Sequence, residues 1–189
     1  MSAHTLQGGF ADGPIQSAQA FRAILDAFAR PGSITTLRGA APPAPLSIAA
    51  GVALLTLTDP TTPLHLAGAA DCAQVRDWVA FHTGAPLVGP EDATFALGTW
   101  PALQPVTRFA VGLPDYPDRS ATLIVEMDRL TNHGPVLTGP GIETAAWLSL
   151  PETAAFRANW ALFPLGFDCL FICGDRIAGL PRSTKVEAI

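Results

Sequence analysis

The chain has 189 residues, a length that suits one domain with a full hydrophobic core. Hydrophobic residues make up 49% of it and charged residues only 14%, against about 25% in typical domains. We therefore expect neighbouring subunits to cover part of its surface. The net charge of -5 argues against nucleic-acid binding through a basic surface, and no apolar run reaches the roughly 20 residues of a membrane-spanning helix.

The three cysteines, Cys72, Cys169 and Cys173, are an odd number in apolar settings. Cys169 and Cys173 lie on one predicted strand at a separation of roughly 13 Å, too far apart for a disulfide. The N-terminus also lacks the basic and apolar regions of a secretion signal. Reduced cysteines and a cytoplasmic location are the resulting expectations.

The first 16 residues show no periodicity and are predicted to form an irregular N-terminal arm. Ser17 is a plausible N-cap for an amphipathic helix that Pro31-Gly32 ends. Apolar side chains at helical spacing predict the core-facing stripe of this helix: Phe21, Ile24, Leu25 and Phe28. A short strand is predicted over residues 33–37, followed by a proline-rich linker.

Ser47 can cap the segment from Ile48 to Leu57, which is apolar all round and therefore buried. Its periodicity fits either a helix or a strand, and its length and alanines favour a helix. After a brief strand at 64–66, Asp71 is predicted to cap a helix that Gly84 ends. His82 then lies in the last turn of that helix.

The middle of the chain reads as short strands separated by turns. Strands are predicted at 86–88, 94–97, 121–127 and 136–138, with an exposed loop at 113–118. Gly139-Pro140-Gly141-Ile142 is predicted to be a rigid tight turn that lets a ligand or a neighbouring chain approach its backbone. Pro151, at the first position of a helix, is predicted to open the last helix.

The C-terminal region contains the clearest strand signal. Apolar residues occupy both alternation phases from Cys169 to Cys173, which predicts a strand covered on both faces in the middle of a sheet. Gly174-Asp175 predicts a two-residue turn, and Arg176 to Leu180 should return antiparallel before Pro181 ends the strand. Helices and strands alternate along the chain, which predicts a three-layer α/β domain with a mixed central sheet flanked by helices.

Several catalytic signatures are absent from the sequence. The single lysine, Lys185, follows Ser183-Thr184 and not the glycine of a P-loop, and no Gly-x-Ser-x-Gly elbow is present. The four histidines are dispersed, so no metal site is marked. Lys185 is also the sole candidate for a pyridoxal phosphate Schiff base, and we expect no cofactor. Asp168, which opens the buried strand, is expected to accept hydrogen bonds from backbone or arginine groups.

Six residues are candidates for binding a phosphate-like anion, because guanidinium forks hold oxyanions in a bidentate way and imidazolium is favoured at a helix C-terminus. They are Arg22, Arg30, His82, Thr83, Arg182 and Ser183. A binding role requires at least two of them to meet in one pocket. A structural role is the alternative: His82 would satisfy helix-end carbonyls, and Arg30 and Arg182 would pair with nearby carboxylates such as Asp26 or Glu187.

Five motifs follow one another along the chain: Phe21-Arg22-x-x-x-x-Ala27-x-x-x-Pro31-Gly32, Phe81-His82-Thr83-Gly84-Ala85, Leu137-Thr138-Gly139-Pro140-Gly141-Ile142, Phe163-Pro164-Leu165-Gly166-Phe167-Asp168 and Leu180-Pro181-Arg182-Ser183-Thr184. In this order they resemble the motifs of the PhnH family, whose members are subunits of the bacterial carbon-phosphorus lyase core complex. The resemblance covers nearly the whole chain. Ser183 stands where many members have threonine, which leaves the role of that hydroxyl open.

The resemblance implies a fold like that of pyridoxal-phosphate-dependent transferases, without the cofactor. It also implies a homodimer that joins the G, I and J subunits of a transferase complex, which makes α-D-ribose 1-methylphosphonate 5-triphosphate from ATP and methylphosphonate. The chemistry is attributed mainly to another subunit, so a structural role is expected here. A ligand-binding or catalytic subunit and an unrelated dimeric binding module are the alternatives.

Overall fold

The computed structural model describes residues 7–187. Within that range the chain forms five α-helices, which are α1 (Gly13–Ala29), α2 (Ile48–Leu57), α3 (Ala73–His82), α4 (Trp100–Leu103) and α5 (Ala154–Trp160). The same residues form eleven strands: β1 (Thr35–Thr36), β2 (Leu64–Leu66), β3 (Phe95–Thr99), β4 (Val111–Leu113), β5 (Tyr116–Ser120), β6 (Thr122–Glu126), β7 (Val136–Thr138), β8 (Ala146–Trp147), β9 (Asp168–Cys173), β10 (Arg176–Leu180) and β11 (Lys185–Glu187). Short 3₁₀ helices lie at Gly68–Ala70, Pro90–Asp92 and Val106–Arg108.

Six strands form a mixed central sheet in the order β1-β10-β9-β6-β3-β2. Strands β2, β3, β6 and β9 run parallel to one another, β10 pairs antiparallel with β9, and β1 pairs antiparallel with β10. The β9–β10 pair is the predicted hairpin, since Cys173 lies opposite Arg176 across a two-residue turn. Gly174 takes a φ of 64° in that turn, a conformation that favours glycine.

Strand β9 is covered on both faces, as its sequence predicts. Leu170 and Ile172 pack into a hydrophobic cluster with α1, α2 and α3. Cys169 and Phe171 point to the opposite face and pack with α4 and α5. Alternate side chains of one strand thus enter two separate cores. The predicted mixed sheet flanked by helices is confirmed.

Helix α1 begins earlier than predicted. The Asp12 carboxylate accepts the Ile15 N–H at 3.3 Å and caps the helix, so the N-cap is not Ser17. Residues 13–16, the end of the predicted irregular arm, are therefore helical, because an Asp-Gly-Pro sequence places a capping carboxylate before a proline that the first turn tolerates. Residues 1–6 of that arm lie outside the described residues.

The predicted apolar stripe of α1 is only partly buried. The residues that face the sheet are Ala20, Ile24 and Ala27, whereas Phe21 and Leu25 are 49% and 57% exposed. The reason lies in strand β10, which α1 crosses at Gly179: a Cβ at Gly179 would lie 2.7 Å from the Ala27 backbone. Such a close approach accepts only small residues at the contact itself, so Ala27 lies against Gly179, and Phe21 and Leu25 lie on the side of α1 away from it.

Helices α2 and α3 have different N-caps. Ser47 caps α2 as predicted, because its hydroxyl accepts the Ala50 N–H at 3.3 Å. The N-cap of α3 is Cys72, which makes no side-chain capping bond, and the predicted cap Asp71 instead accepts two hydrogen bonds from Arg76. An arginine five residues away thus competes successfully for the Asp71 carboxylate.

Three further segments differ from their predictions. The predicted loop at 113–118 belongs to the β4–β5 hairpin, where Pro117 is tolerated because a two-stranded sheet leaves one side of each strand unpaired. The predicted strand at 86–88 makes a single bridge between Leu87 and Leu64. Pro151 lies three residues before α5, so it is not the first residue of that helix.

Candidate functional site

Arg22, on α1, and Arg30, the residue that follows the last turn of α1, are both exposed. Arg30 forms an ion pair with Asp26 at 2.7 Å, and both side chains are about two-thirds exposed, at 65% and 64%. An exposed pair of this kind contributes at most about 1 kcal/mol, so Arg30 is held locally and weakly.

His82 and Thr83 lie at the C-terminal end of α3. The His82 Nε2 is 3.2 Å from the Gln7 carbonyl oxygen, and its ring packs 4.9 Å from that of Trp78. The buried Thr83 hydroxyl donates to the Val79 carbonyl at 2.9 Å and accepts the Ala85 N–H at 3.1 Å. Both Thr83 contacts close the end of the helix.

Arg182 is the centre of a nearly buried junction. Its side chain is 13% exposed and that of its partner Asp168 is 23% exposed. Nε and NH2 of Arg182 donate to Oδ1 and Oδ2 of Asp168 at 3.1 and 2.5 Å, and the Arg182 backbone N–H donates to Oδ1 at 2.8 Å. The guanidinium also donates to the Pro117 carbonyl oxygen at 2.8 Å and to the Ser120 hydroxyl. The expectation for Asp168 is confirmed.

Ser183 lies beside the predicted tight turn. A Cβ at Gly139 would be 3.1 Å from the Ser183 carbonyl oxygen, and one at Gly141 would overlap the Ala29 carbonyl oxygen. Gly139 and Gly141 have φ values of 132° and 81°, which favour glycine. The turn therefore packs between the end of α1 and the turn that carries Ser183, and the close approach that its sequence predicts is made by this chain's own backbone.

The structure thus distributes the six candidates over three regions: the outer side of α1, the end of α3, and the turn after β10. Arg30 and Ser183 flank the Gly139–Gly141 turn. None of the six residues lines the groove between α5 and β11 or the cavity at the carboxyl ends of β2, β3 and β6. Sequence periodicity could not reveal these cavities, because residues far apart in the chain line them.

The outer face of α1 is an apolar ridge made of Pro14, Ala18, Phe21 and Leu25. These residues are all exposed and follow one another at spacings of four, three and four. This spacing aligns them on one face of a helix, as in helices that pack against another helix. The α1 ridge has the composition and exposure of a protein interaction surface.

A second apolar surface lies between α5 and β11. This α5 groove has a volume of about 460 Å³. It is lined by Ala154, Arg157, Ala158, Trp160, Ala161, Lys185 and Val186. The Lys185 ammonium lies 5.9 Å from the Trp160 ring centroid and pairs with Glu187 at 2.7 Å. Leu162 and Phe163, 48% and 59% exposed, follow α5 directly.

Glu126 is a half-buried carboxylate at the end of β6. It accepts the Ser47 N–H at 2.9 Å, next to the N-terminus of α2. Burial raises the pKa of Glu126 above its ordinary value of 4.5, although the hydrogen bonds from Ser47 act in the opposite direction. The desolvation of the carboxylate therefore outweighs its hydrogen bonding.

The raised pKa of Glu126 makes the stability of the fold depend on pH. A raised carboxyl pKa means that the folded state binds the proton more tightly than the unfolded state does. The stability that Glu126 contributes is therefore fully present below pH 4.5 and is lost as the pH rises through the pKa of the folded state. We expect Glu126→Gln, which keeps an acceptor for the Ser47 N–H, to gain stability relative to the native chain as the pH rises above 4.5. Urea unfolding of both proteins across this range measures the difference. A difference independent of pH would contradict the prediction.

No group of three or more metal-ligating side chains comes together among residues 7–187. Over the same range, no helix combines the length and the hydropathy needed to cross a membrane. The chain is thus a mixed α/β protein that presents an apolar helix ridge and an apolar groove to the outside.

Comparison with known sequences identifies the group of α/β proteins to which it belongs. The profile of the family described as "Bacterial phosphonate metabolism protein (PhnH)" matches residues 8–187. The chain belongs to this family.

Two relatives agree with that assignment. The α-D-ribose 1-methylphosphonate 5-triphosphate synthase subunit PhnH of Rhizobium meliloti (strain 1021) is 40% identical over 95% of this chain and 94% of its own length. A putative C-P lyase subunit protein, HtxG of Stutzerimonas stutzeri, is 31% identical over 89% of this chain and 84% of its own length. The motif series in the sequence therefore predicted the family correctly.

Proposed function

We propose that this chain is a structural, non-autonomous subunit of a carbon-phosphorus lyase core complex. In this role it is required for making α-D-ribose 1-methylphosphonate 5-triphosphate from ATP and methylphosphonate, and another subunit carries out the chemistry. The observation that carries the proposal is the relative that is 40% identical over 95% of the chain and is named as a subunit of that synthase. The exposed α1 ridge and α5 groove support a role that depends on partners.

The proposed partners are a second copy of the chain and the G, I and J subunits, in the cytoplasm. Helices α1 and α5 pack on opposite faces of the central sheet. The α1 ridge and the α5 groove are therefore separate surfaces that two different partners could cover at once. A charge-poor composition, with 14% charged residues, supports the same proposal because it lowers the desolvation cost of both contacts.

The proposed fold relationship is to pyridoxal-phosphate-dependent transferases that have lost the cofactor lysine. The mixed sheet with helices on both faces supports this relationship. Lys185, the sole lysine, lies about half exposed on β11 and pairs with Glu187. Its position outside the central sheet fits a chain that carries no pyridoxal phosphate.

A ligand-binding subunit is the second candidate. It would hold phosphonate or triphosphate through Arg22, Arg30, His82, Thr83, Arg182 and Ser183. Arg30 and Ser183 are the two of these residues that lie beside one turn, Gly139–Gly141, and Arg30 is held there only by an exposed ion pair with Asp26. Titration calorimetry of the isolated chain with methylphosphonate and with ATP tests it, and this candidate requires binding that Arg30→Gln weakens.

Gene deletion combined with partner identification tests the structural role. We expect the deletion strain to lose growth on methylphosphonate as sole phosphorus source and to keep growth on inorganic phosphate. The tagged chain should copurify with the other complex subunits from phosphate-starved cells. Normal growth of the deletion strain on methylphosphonate would reject the proposal, and copurification with unrelated proteins alone would favour an independent binding module.

A further inference from the structure

A cavity of about 300 Å³ lies at the carboxyl ends of three neighbouring parallel strands. Ala67–Ala70 follow β2, Gly98 and Thr99 end β3, and Glu126 ends β6, and all of them line the cavity. Open α/β sheets bind their ligands outside the carboxyl ends of parallel strands, because the loops that follow the strands diverge there and leave a crevice. The position of this cavity in the fold is therefore that of a ligand site.

The cavity wall consists mostly of small residues. Alanine or glycine occupies each position from 67 to 70 that follows β2, and Ala102 lines the side next to β3. Gly98 keeps these two strands close, since a Cβ there would lie 2.9 Å from the Ala67 Cβ. Leu46 and Met127 add apolar surface. The space left by the missing side chains is apolar and suits the uncharged body of a small ligand.

The charged residues that line the cavity favour a positively charged ligand. Glu126 and Asp128 are the charged residues that line the cavity, and both are carboxylates. Glu126 is half-buried, and the loss of water around it is the main influence on its ionisation. A bound cation would offset this desolvation, whereas a phosphoryl group would be repelled.

The geometry of a carboxylate favours a planar cationic group on the ligand. A carboxylate accepts two parallel hydrogen bonds from a planar amidinium or guanidinium, which gives such cations more orientation-specific contacts than a spherical ammonium. A metal ion fits less well, since no group of three metal-ligating side chains lies here or elsewhere in residues 7–187.

We propose that this cavity binds a compact planar cation, an amidinium or guanidinium on an apolar body, with Glu126 as its charged partner. The site is separate from the six anion-binding candidates, and it does not depend on the proposed role in phosphonate metabolism. The proposed ligand is a cation, whereas the phosphorus compounds that the relatives' names imply are anions.

Benzamidine is a suitable probe, because it combines an amidinium with a flat apolar ring. Titration calorimetry and saturation-transfer NMR on the full chain should detect benzamidine binding, and the isosteric benzamide and benzoate should bind much more weakly. Glu126→Gln should weaken benzamidine binding by about tenfold to a hundredfold, the loss expected for a charge-assisted hydrogen bond. Asp92→Asn, an exposed carboxylate outside the cavity lining, is the matched control and should leave binding unchanged.

A second variant, Ala69→Leu, fills the cavity from its exposed rim and should also abolish binding. Unfolding curves verify that each variant is folded. The proposal is overturned if the native chain does not bind benzamidine, if benzoate binds as tightly, or if Glu126→Gln and Ala69→Leu bind benzamidine like the native chain.

The same cation could be a free small molecule or an arginine side chain of a neighbouring subunit. Repeating the titration on the purified complex separates these sources. Lost benzamidine binding in the complex shows that a partner covers or fills the cavity, and recovery of binding when that partner's arginine is replaced identifies the arginine as the cation. Retained binding identifies a site for a small molecule.

Discussion

Replacing Arg182 with alanine is expected to lower the free energy of unfolding by about 3 kcal/mol, since removal of one member of a buried ion pair leaves the other charge uncompensated. Asp168, 23% exposed, would lose its charged partner and two side-chain hydrogen bonds. The Pro117 carbonyl oxygen and the Ser120 hydroxyl would lose their donor as well. The junction joins the start of β9 to the end of β10 and to β5, so its loss affects three strands at once.

Chemical and thermal unfolding measure this effect. For a chain of this size, about 3 kcal/mol corresponds to a fall in Tm of about 6 to 12 °C. Arg30→Ala is the matched control, because its ion pair with Asp26 is exposed and should be worth less than about 1 kcal/mol. Equal effects of the two substitutions would show that the Arg182 junction stabilises the fold no more than an exposed ion pair does.

Leu25→Glu on the α1 ridge is expected to weaken assembly by about thirtyfold, the effect of losing about 2 kcal/mol at an interface hot spot. Leu25 is 57% exposed in the isolated chain, so the substitution should leave its fold intact. If a partner covers the ridge, however, the new carboxylate would be buried without a counter-charge. Sedimentation of the isolated chain and copurification of the complex report self-association and partner binding separately.

Gln19→Glu is the control for Leu25→Glu. It introduces the same charge on the same helix at an exposed position that does not belong to the α1 ridge. We expect Gln19→Glu to assemble like the native chain. Native-like assembly of Leu25→Glu in both measurements would remove the α1 ridge from the candidate interfaces.

The sequence predicts a strand or a turn well where the local residue types require a particular local environment. Strand β9 is apolar in both phases, and a strand of this kind is stable only when both of its faces are covered. The turn after it needs a residue with positive φ, which Gly174 supplies. These requirements act over a few residues, so they can be read without knowing the rest of the fold.

The orientation of α1 shows where sequence patterns are insufficient. Phe21, Ile24 and Leu25 together form an apolar stripe, but the helix buries Ile24 and exposes the other two. The choice is made by the close contact between Ala27 and Gly179, residues 152 positions apart whose proximity exists only in the folded chain. Similarly, the sequence identifies Arg182 as a candidate anion ligand, whereas the fold pairs it with Asp168.

By itself, the sequence determined the α/β class, the β9–β10 hairpin and the family, because each rests on local patterns or on the order of motifs. Only the tertiary structure decided which side of α1 is exposed, which carboxylate neutralises Arg182 and which strand ends enclose the cavity at Glu126. These features depend on distances between residues remote in the chain. Such distances are set by the packing of helices on a sheet, which no local pattern encodes.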